Sequence, residues 1–363
     1  MRVLQEPSLN QKKILVIDQA PKTKNDRTWC FWETKAGLFE PIIHHSWQEI
    51  KFLSNQFSTQ LNIAPYTYKM LHGIAFYDYV VNYAKQFANV IFRYEKVLAI
   101  ETIDTKATVV LANETLTADY VFNSIIFNQL QVPKGKYYLL QHFKGWIIET
   151  KEPCFNPNVA TFMDFTVSQQ HGTTFMYVLP TSTTEALVEY TLFTEKLLQQ
   201  SDYEDALKAY ITDKLNIVHY TIKHQEFGII PMTNIHFVKH NVKIINIGIA
   251  GGQAKGSSGY AFQFIQKRTQ QIVNSLVKYH HPFTAKTLSA KKFQLYDSVL
   301  LNILHYKKLS GDIIFKDIFK KCTPKTIFKF LDNESNLLED IQIMNSVPTN
   351  VFLKAAAQEI FLK

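Results

Sequence analysis

The run "KKILVID", residues 12 to 18, is short, apolar and β-branched, and it closes on the acid Asp18. Such a run reads as a buried parallel strand, which needs crossover connections and helices on both faces, so it commits the chain to an α/β architecture. In a dinucleotide-binding unit an acid at the end of the second strand takes the ribose hydroxyls, about 20 residues after a G-x-G-x-x-G turn. Counting back from Asp18 by that interval passes the first residue. The expectation is therefore a Rossmann-like domain whose first strand, glycine loop and helix start, roughly 25–30 residues, lie outside this sequence.

A second strand-to-helix turn completes the pattern. "NVKIINIGIAGGQAKGSSGYAFQFIQKRTQQIVNSLV" gives a buried strand, a cluster of small residues and a long helix. Gly251, Gly252, Gly256 and Gly259 would let backbone N–H groups and the positive end of the helix approach a phosphate. The same glycines also suit an ordinary turn that needs positive φ. In "NDRTWCFWE", Arg27 could neutralise a pyrophosphate and the Trp rings could wall a pocket. A packed aromatic cluster beside a structural salt bridge is the plainer alternative.

Between these segments, "IAFYDYVVNYAKQFA" has helical periodicity, and residues 90 to 124 alternate at hairpin spacing. Residues 139 to 231 read as an antiparallel sheet interrupted by a helix over "YEDALKAYITDKLN", and residues 281 to 363 as helical and aromatic. Two carboxylates, Asp164 and Glu189, sit in apolar strands there. Alternation puts Glu189 on the face of Leu187 and Thr191, opposite Val188 and Tyr190. Each acid is either an outward-facing strand residue or a buried group whose protonation is perturbed.

Composition narrows the partners. The chain carries a net charge of +8, which allows nucleic acid, an anionic membrane or an acidic ligand. The stretch "YKKLSGDIIFKDIFKKCTPK" alternates basic and apolar residues, which suits a membrane surface better than a DNA groove, with a solvated helix face as the alternative. Three dispersed Cys and twelve His without ligand spacing give no disulfide framework and no metal site. No run reaches the ~18–20 apolar residues of a membrane-spanning helix. G-x-S-x-G and Cys-His signatures of hydrolases are absent from the sequence as well.

Taken in order, these motifs resemble the flavin-dependent bacterial lycopene cyclases over nearly the whole chain. "KILVIDQAPKTKNDRTWCFW" is similar to that family's second strand and the motif after it, and "TFMDFTVSQQHGTTFMYVLPTSTTEALVEYT" to its central block. "QEFGIIPM" resembles its segment of acid, glycine and proline, and "AGGQAKGSSGYAF" its second flavin-contacting loop. The resemblance implies a hydroxybenzoate-hydroxylase-like flavoprotein. An FAD domain would be built from residues 1–35, 70–130 and 240–278, and a substrate sheet from 36–69 and 131–239. Residues 279–363 would form a helical part with a possible membrane-docking face.

The implied reaction is a non-redox cyclisation of lycopene ψ ends to β-ionone rings, giving γ- and then β-carotene. It is started by an acid and supported by reduced FAD, with NAD(P)H as one source of the electrons. Glu189 would be the essential acid, with Asp164 and Glu226 at further charged positions of the family pattern. Asp18, Arg27, Gly248, Gly251, Gly252 and Gly259 would serve the cofactor. Lycopene or a related ψ-ended carotenoid would be the substrate, and the protein would be cytoplasmic and peripheral on the inner face of the cell membrane, with no nucleic acid or metal partner. Two departures stand out: Gly256 replaces a Pro in the second loop, and Tyr190 replaces a second acid, which would leave Glu189 without a nearby carboxylate to raise its pKa. Another FAD-dependent carotenoid oxidoreductase or monooxygenase, or an inactive remnant, are the competing expectations.

Overall fold

The computed structural model describes residues 1–128, 130–284 and 288–361. The chain opens with the helical turn α1 (Arg2–Gln5) and the strand β1 (Ile14–Asp18). Then come β2 (Thr28–Glu33), β3 (His45–Trp47), the hairpin of β4 (Glu49–Ser54) and β5 (Phe57–Asn62), and β6 (Thr67–His72). Helix α2 (Gly73–Ala84) leads to β7 (Val90–Tyr94). A meander of β8 (Ala99–Ile103), β9 (Lys106–Val110) and β10 (Thr115–Ala118) follows, and then β11 (Val121–Asn123).

The long strands come next: β12 (Tyr138–Glu149), β13 (Val159–Asp164), β14 (Thr173–Pro180) and β15 (Glu185–Thr194). Helix α3 (Gln200–Ala209) runs into a π-helical turn at Tyr210–Lys214 before β16 (Thr221–Thr233). The short β17 (His240–Asn241) and β18 (Ile244–Asn246) precede α4 (Phe262–Tyr279). Among the described residues five helices follow: α5 (Leu288–His305), α6 (Gly311–Lys321), α7 (Pro324–Leu331), α8 (Leu337–Ser346) and α9 (Thr349–Phe361).

Seven strands form the central sheet in the order β16-β12-β15-β14-β13-β4-β5. The sequence pattern predicts an antiparallel sheet, and all its pairs are antiparallel except β13 with β4. The exception arises because β4 reaches β13 from a separate, earlier part of the chain and not through a hairpin. All eight residues of β14 are buried, since both faces of the sheet are covered. On one face Phe162, Phe175, Tyr177, Leu187 and Phe193 pack with Trp32, Tyr68 and the helical residues Phe315, Phe319 and Phe328. On the other, Trp146, Met176, Val188, Tyr190 and Leu192 pack with Tyr203, Leu207 and Tyr210. The period of two along β15 thus deals Leu187 and Phe193 to the first core and Val188, Tyr190 and Leu192 to the second, which fixes the face of Glu189 as the first.

One expectation is corrected. β1 pairs in parallel with β7, but among the described residues this sheet has only those two strands, so β1 is not buried: Leu15 is 44% and Val16 40% exposed. An apolar parallel strand becomes buried only where neighbouring strands and covering helices close it in. The basic-aromatic stretch 306–325 divides its aromatics: Tyr306 is exposed, while Phe315 and Phe319 turn inward. Ile314, Phe315 and Phe319 of α6 are buried, with Phe315 and Phe319 in the core on the sheet.

Candidate active site

One row of residues crosses four adjacent strands of the central sheet. Tyr177 on β14 is the register partner of Glu189 on β15; Glu189 is opposite Gly145 on β12; Gly145 is opposite Glu226 on β16. Residues in register across a sheet project from the same face, so the row presents two carboxyls with only a glycine between them. The Glu226 side chain leans into the space beside Gly145. A Cβ there would lie 3.1 Å from the Glu226 Cγ and 3.4 Å from its Oε1.

Glu189 keeps some accessible surface but lies deep in the molecule. Burial, and next the charge of Glu226, push its carboxyl up to about 8, while a hydrogen bond from the Thr191 hydroxyl (2.7 Å) opposes the shift. Burial also raises Glu226, against hydrogen bonds from Thr28, whose hydroxyl donates to Oε2 at 2.8 Å. Two buried carboxyls that interact this way hold one proton between them over a wide pH range. The expectation that Glu189 lacks a neighbouring carboxylate is overturned: the partner sits on another strand and not at position 190.

Aromatic side chains close over the row. The Tyr177 and Tyr260 hydroxyls are 3.1 Å apart, and the Trp32 and Tyr260 rings meet edge to face at 4.7 Å. Tyr68 packs edge-on to Phe162 at 5.3 Å, and the buried Cys30 thiol adjoins both Tyr68 and the two acids. Burial holds the Cys30, Tyr68, Tyr177 and Tyr260 protons on, so these groups are neutral. Sequence reasoning missed Gly145, Thr28 and Tyr177, because only the register reveals them. Tyr260 carried a signal in its place directly after Gly259.

Asp164 is not brought to this row. It is buried at the end of β13, where its Oδ2 accepts from the Tyr210 hydroxyl at 2.6 Å and its Oδ1 from the Thr166 N–H at 2.8 Å. Tyr210 belongs to the core on the opposite face.

The residues expected at a cofactor divide into two groups. Asp18 is half-exposed at the end of β1 and pairs with Lys22 at 3.2 Å, while Arg27 pairs with Asp26 at 2.9 Å and lies 5.9 Å from the Trp29 ring centre. The glycines lie in the turn between β18 and α4. Gly248, Gly252 and Gly259 have φ of +61°, +70° and +69°, and a Cβ on Gly251 would stand 2.3 Å from the Asn246 carbonyl oxygen. The N–H groups of Gly251, Gly252 and Gly259 bond to the carbonyls of Ile247, Ile249 and Lys255, so these glycines first of all shape the turn.

A flavin fits this turn in one respect. Gln253 Oε1, Ser258 Oγ and Gln141 Oε1 are buried without a hydrogen-bond partner, and a Cβ on Gly259 would lie 2.0 Å from that Gln141 oxygen. Unpaired buried polar atoms around a glycine turn suit a polar planar group with its own donors and acceptors. The turn is anchored from behind by Lys255, whose side chain is 1% exposed and pairs with Asp297 of α5 at 2.8 Å; the Ser257 hydroxyl donates to the same carboxylate at 2.6 Å. Among the described residues, no group of three or more His, Cys, Asp and Glu is placed to hold a metal ion.

Solved structures similar to this chain define the class. A geranylgeranyl bacteriochlorophyll reductase-like protein from Thermoplasma acidophilum superposes with a TM-score of 0.57 at 11% identity, covering 99% of this chain and 92% of that one. A flavin-dependent halogenase from Xanthomonas campestris matches with a TM-score of 0.57 at 9% identity, again over 99% and 92%. A flavoprotein/dehydrogenase from Cytophaga hutchinsonii gives 0.53 at 11% identity over 87% and 82%. The fold is therefore that of the FAD-dependent flavoproteins, mixed α/β with a large sheet. No curated protein matches in sequence. The family model described as "Lycopene cyclase protein" matches residues 4–357, and the chain belongs to the lycopene cyclase family.

Proposed function

We propose that this protein closes ψ ends of lycopene, or of a related carotenoid, into β-ionone rings without net oxidation or reduction. The observation that carries this reading is the Glu189–Gly145–Glu226 row, a carboxyl held neutral near pH 7 beside a second carboxyl and under aromatic faces. Neutral Glu189 donates its proton to the less substituted carbon of the terminal alkene. The resulting tertiary cation is attacked by the neighbouring double bond, forming the ring C–C bond and moving the charge onto the ring. Loss of a ring proton to the Glu226 carboxylate leaves the new double bond, and proton exchange between the two acids restores the start. Atoms and charge balance, so the product is an isomer of the substrate.

Trp32, Tyr177 and Tyr260 face the row with π electrons and neutral hydroxyls. They stabilise a cation and do not capture it as a strong nucleophile would. FAD would be held by the turn carrying Gln253, Ser258, Gly252 and Gly259, with Gln141 behind it and Asp18 and Arg27 toward its nucleotide end. Bound and reduced, it supplies electron density that supports the cation.

A carotenoid partitions into lipid, so the reading includes docking on a membrane surface. Leu337, Leu338, Ile341 and Met344 share one exposed face of α8, and Leu338 is 74% exposed. Exposed Lys320, Lys321 and Lys325 lie on the adjoining ends of α6 and α7, with Lys321 bonded to the last turn of α8. Among the described residues no helix is long and apolar enough to cross a membrane. The test is pigment analysis of a lycopene-accumulating bacterium expressing this chain: γ- or β-carotene, lost on Glu189→Gln, supports the reading, and unchanged lycopene beside folded protein overturns it.

A further inference from the structure

We infer that Gly145 is a positioning residue for the acid pair: the missing side chain on β12 sets how closely Glu226 approaches Glu189 and thereby how firmly Glu189 keeps its proton. This rests on the proposed acid chemistry and adds to it a residue that neither titrates nor touches substrate.

The geometry is specific. Two residues flanking a third across a sheet stand two strand spacings apart, about 9.5 Å between backbones, too far for strong coupling unless the side chains lean inward. Here Glu226 leans over Gly145, where an added Cβ would meet the Leu187 Cδ1 at 3.0 Å, the Glu226 Cγ at 3.1 Å and the Glu226 Oε1 at 3.4 Å. The position is buried, and its backbone has no positive φ to require glycine. A methyl group is therefore compatible with the strand, but the Leu187 and Glu226 side chains must both give way to admit it. Gly145 is not a turn residue either: it lies mid-strand, where glycine lowers sheet stability and marks a close approach.

The groups facing the pair are few in kind. Glu189 is faced by Glu226 from β16, Tyr177 from β14, Cys30 from β2, Tyr260 from the β18–α4 turn and Thr191 from its own strand. Glu226 is faced by Thr28 from the start of β2. The tyrosines and the cysteine stay protonated, so the charge acting on Glu189 is that of Glu226. Moving Glu226 away weakens that charge with little added desolvation, because Glu189 is already deep.

The test is infrared titration of the protonated carboxyl bands of full-length protein, whose alkaline limb can be read in every variant, including Glu226→Gln, which lacks the proton acceptor of the proposed cycle; the pH dependence of cyclisation on lycopene-loaded phosphatidylglycerol vesicles is the second readout for Gly145→Ala. Four variants are compared: Gly145→Ala, Glu226→Gln, the double variant, and Glu226→Asp, which draws the carboxyl back without adding volume. The expected result is an alkaline limb lower by about half a pH unit or more in Gly145→Ala and Glu226→Asp, lower still in Glu226→Gln, and no further shift when Gly145→Ala is added to Glu226→Gln. A limb that moves with Glu226→Gln but in neither Gly145→Ala nor Glu226→Asp overturns the inference and leaves the acid pair standing. An equal Gly145→Ala shift in the Glu226→Gln background assigns it to packing and also overturns the inference. A limb unmoved by Glu226→Gln removes the acid pair itself.

Discussion

The hydroxyls of Tyr177 and Tyr260, 3.1 Å apart, join the central sheet to the glycine turn between β18 and α4. Tyr177 is the register neighbour of Glu189, and Tyr260 follows Gly259, so this contact links the acid row to the place where the cofactor is proposed to lie. Removing one hydroxyl leaves the other without this partner and weakens the link without emptying the aromatic space. Tyr177→Phe is expected to lower the cyclisation rate about tenfold, equivalent to ~1.4 kcal/mol, with unchanged carotenoid affinity. Equal loss in kcat and kcat/KM with constant KM is the result to look for; a rise in KM alone would place Tyr177 in substrate binding.

Glu189 ties activity against stability. Its folded pKa, about 8, exceeds that of an unfolded Glu, so the folded state binds more protons than the unfolded one from about pH 4.5 to 8, and stability falls as pH rises through that window. Glu189→Gln removes the titration. It should abolish ring formation and raise stability at pH 7 by about 3 kcal/mol, with little gain at pH 4, where both states are largely protonated in the parent. Urea unfolding at the two pH values checks this, and an equal change at both would remove the raised pKa as its cause.

Much of this site can be read from the residues in order, and some cannot. The alternation "EALVEYTLF" already places Glu189 with Leu187 and Thr191, and the structure adds the Thr191 hydroxyl at 2.7 Å. The strand, glycine turn and helix around Gly252 follow from their own local pattern. Glu226 and Gly145 are different: their meeting with Glu189 depends on β12 lying between β15 and β16, and strand order is a property of tertiary packing that no period in the sequence carries. The exposure of β1 was hidden for a related reason. Its side chains are those of a buried strand, and only its pairing with β7 alone determines that Leu15 and Val16 meet solvent.

Asp164 resembles Glu189 in sequence, as an acid in an apolar strand, yet its bonds to Tyr210 and Thr166 give it an anchoring role on the other side of the sheet. Asp164→Ala leaves the Tyr210 hydroxyl and the Thr166 N–H without that acceptor. A loss of about 2–3 kcal/mol in unfolding free energy is expected, with turnover per folded molecule within about twofold of the parent. A large fall in turnover with an unchanged melting temperature would instead return Asp164 to the chemistry.

The Lys255–Asp297 pair connects the glycine turn to α5 in a nearly dry setting. Asn333 also accepts from the Lys255 ammonium, at 2.6 Å. Asp297→Asn strands a buried positive charge, and breaking such a pair from one side costs about 3–5 kcal/mol. Lys255→Met with Asp297→Leu removes both charges and is expected to recover most of that loss. If the turn holds flavin, the single variant will also retain less of it on gel filtration, read from the flavin absorbance, and the double variant more. Equal flavin retention in all three proteins would separate this anchor from the cofactor site.

The exposed face of α8 sets the last expectation. Leu337, Leu338, Ile341 and Met344 would each add apolar contact on a bilayer, at about 25 cal/mol per Å² buried, and the nearby lysines favour anionic headgroups. Replacing Leu338 and Ile341 with Glu leaves the helix packed through its buried Asp340 and Ile343, because the altered positions point away from the core. The double variant should keep the parent melting temperature while losing flotation with phosphatidylglycerol vesicles by tenfold or more. For the parent, binding should weaken as salt rises, since screening reduces the lysine contribution but not the apolar one. Flotation unaffected by the two substitutions would move the docking face elsewhere, and concentration-dependent self-association lost with them would identify α8 as a contact between copies of the chain.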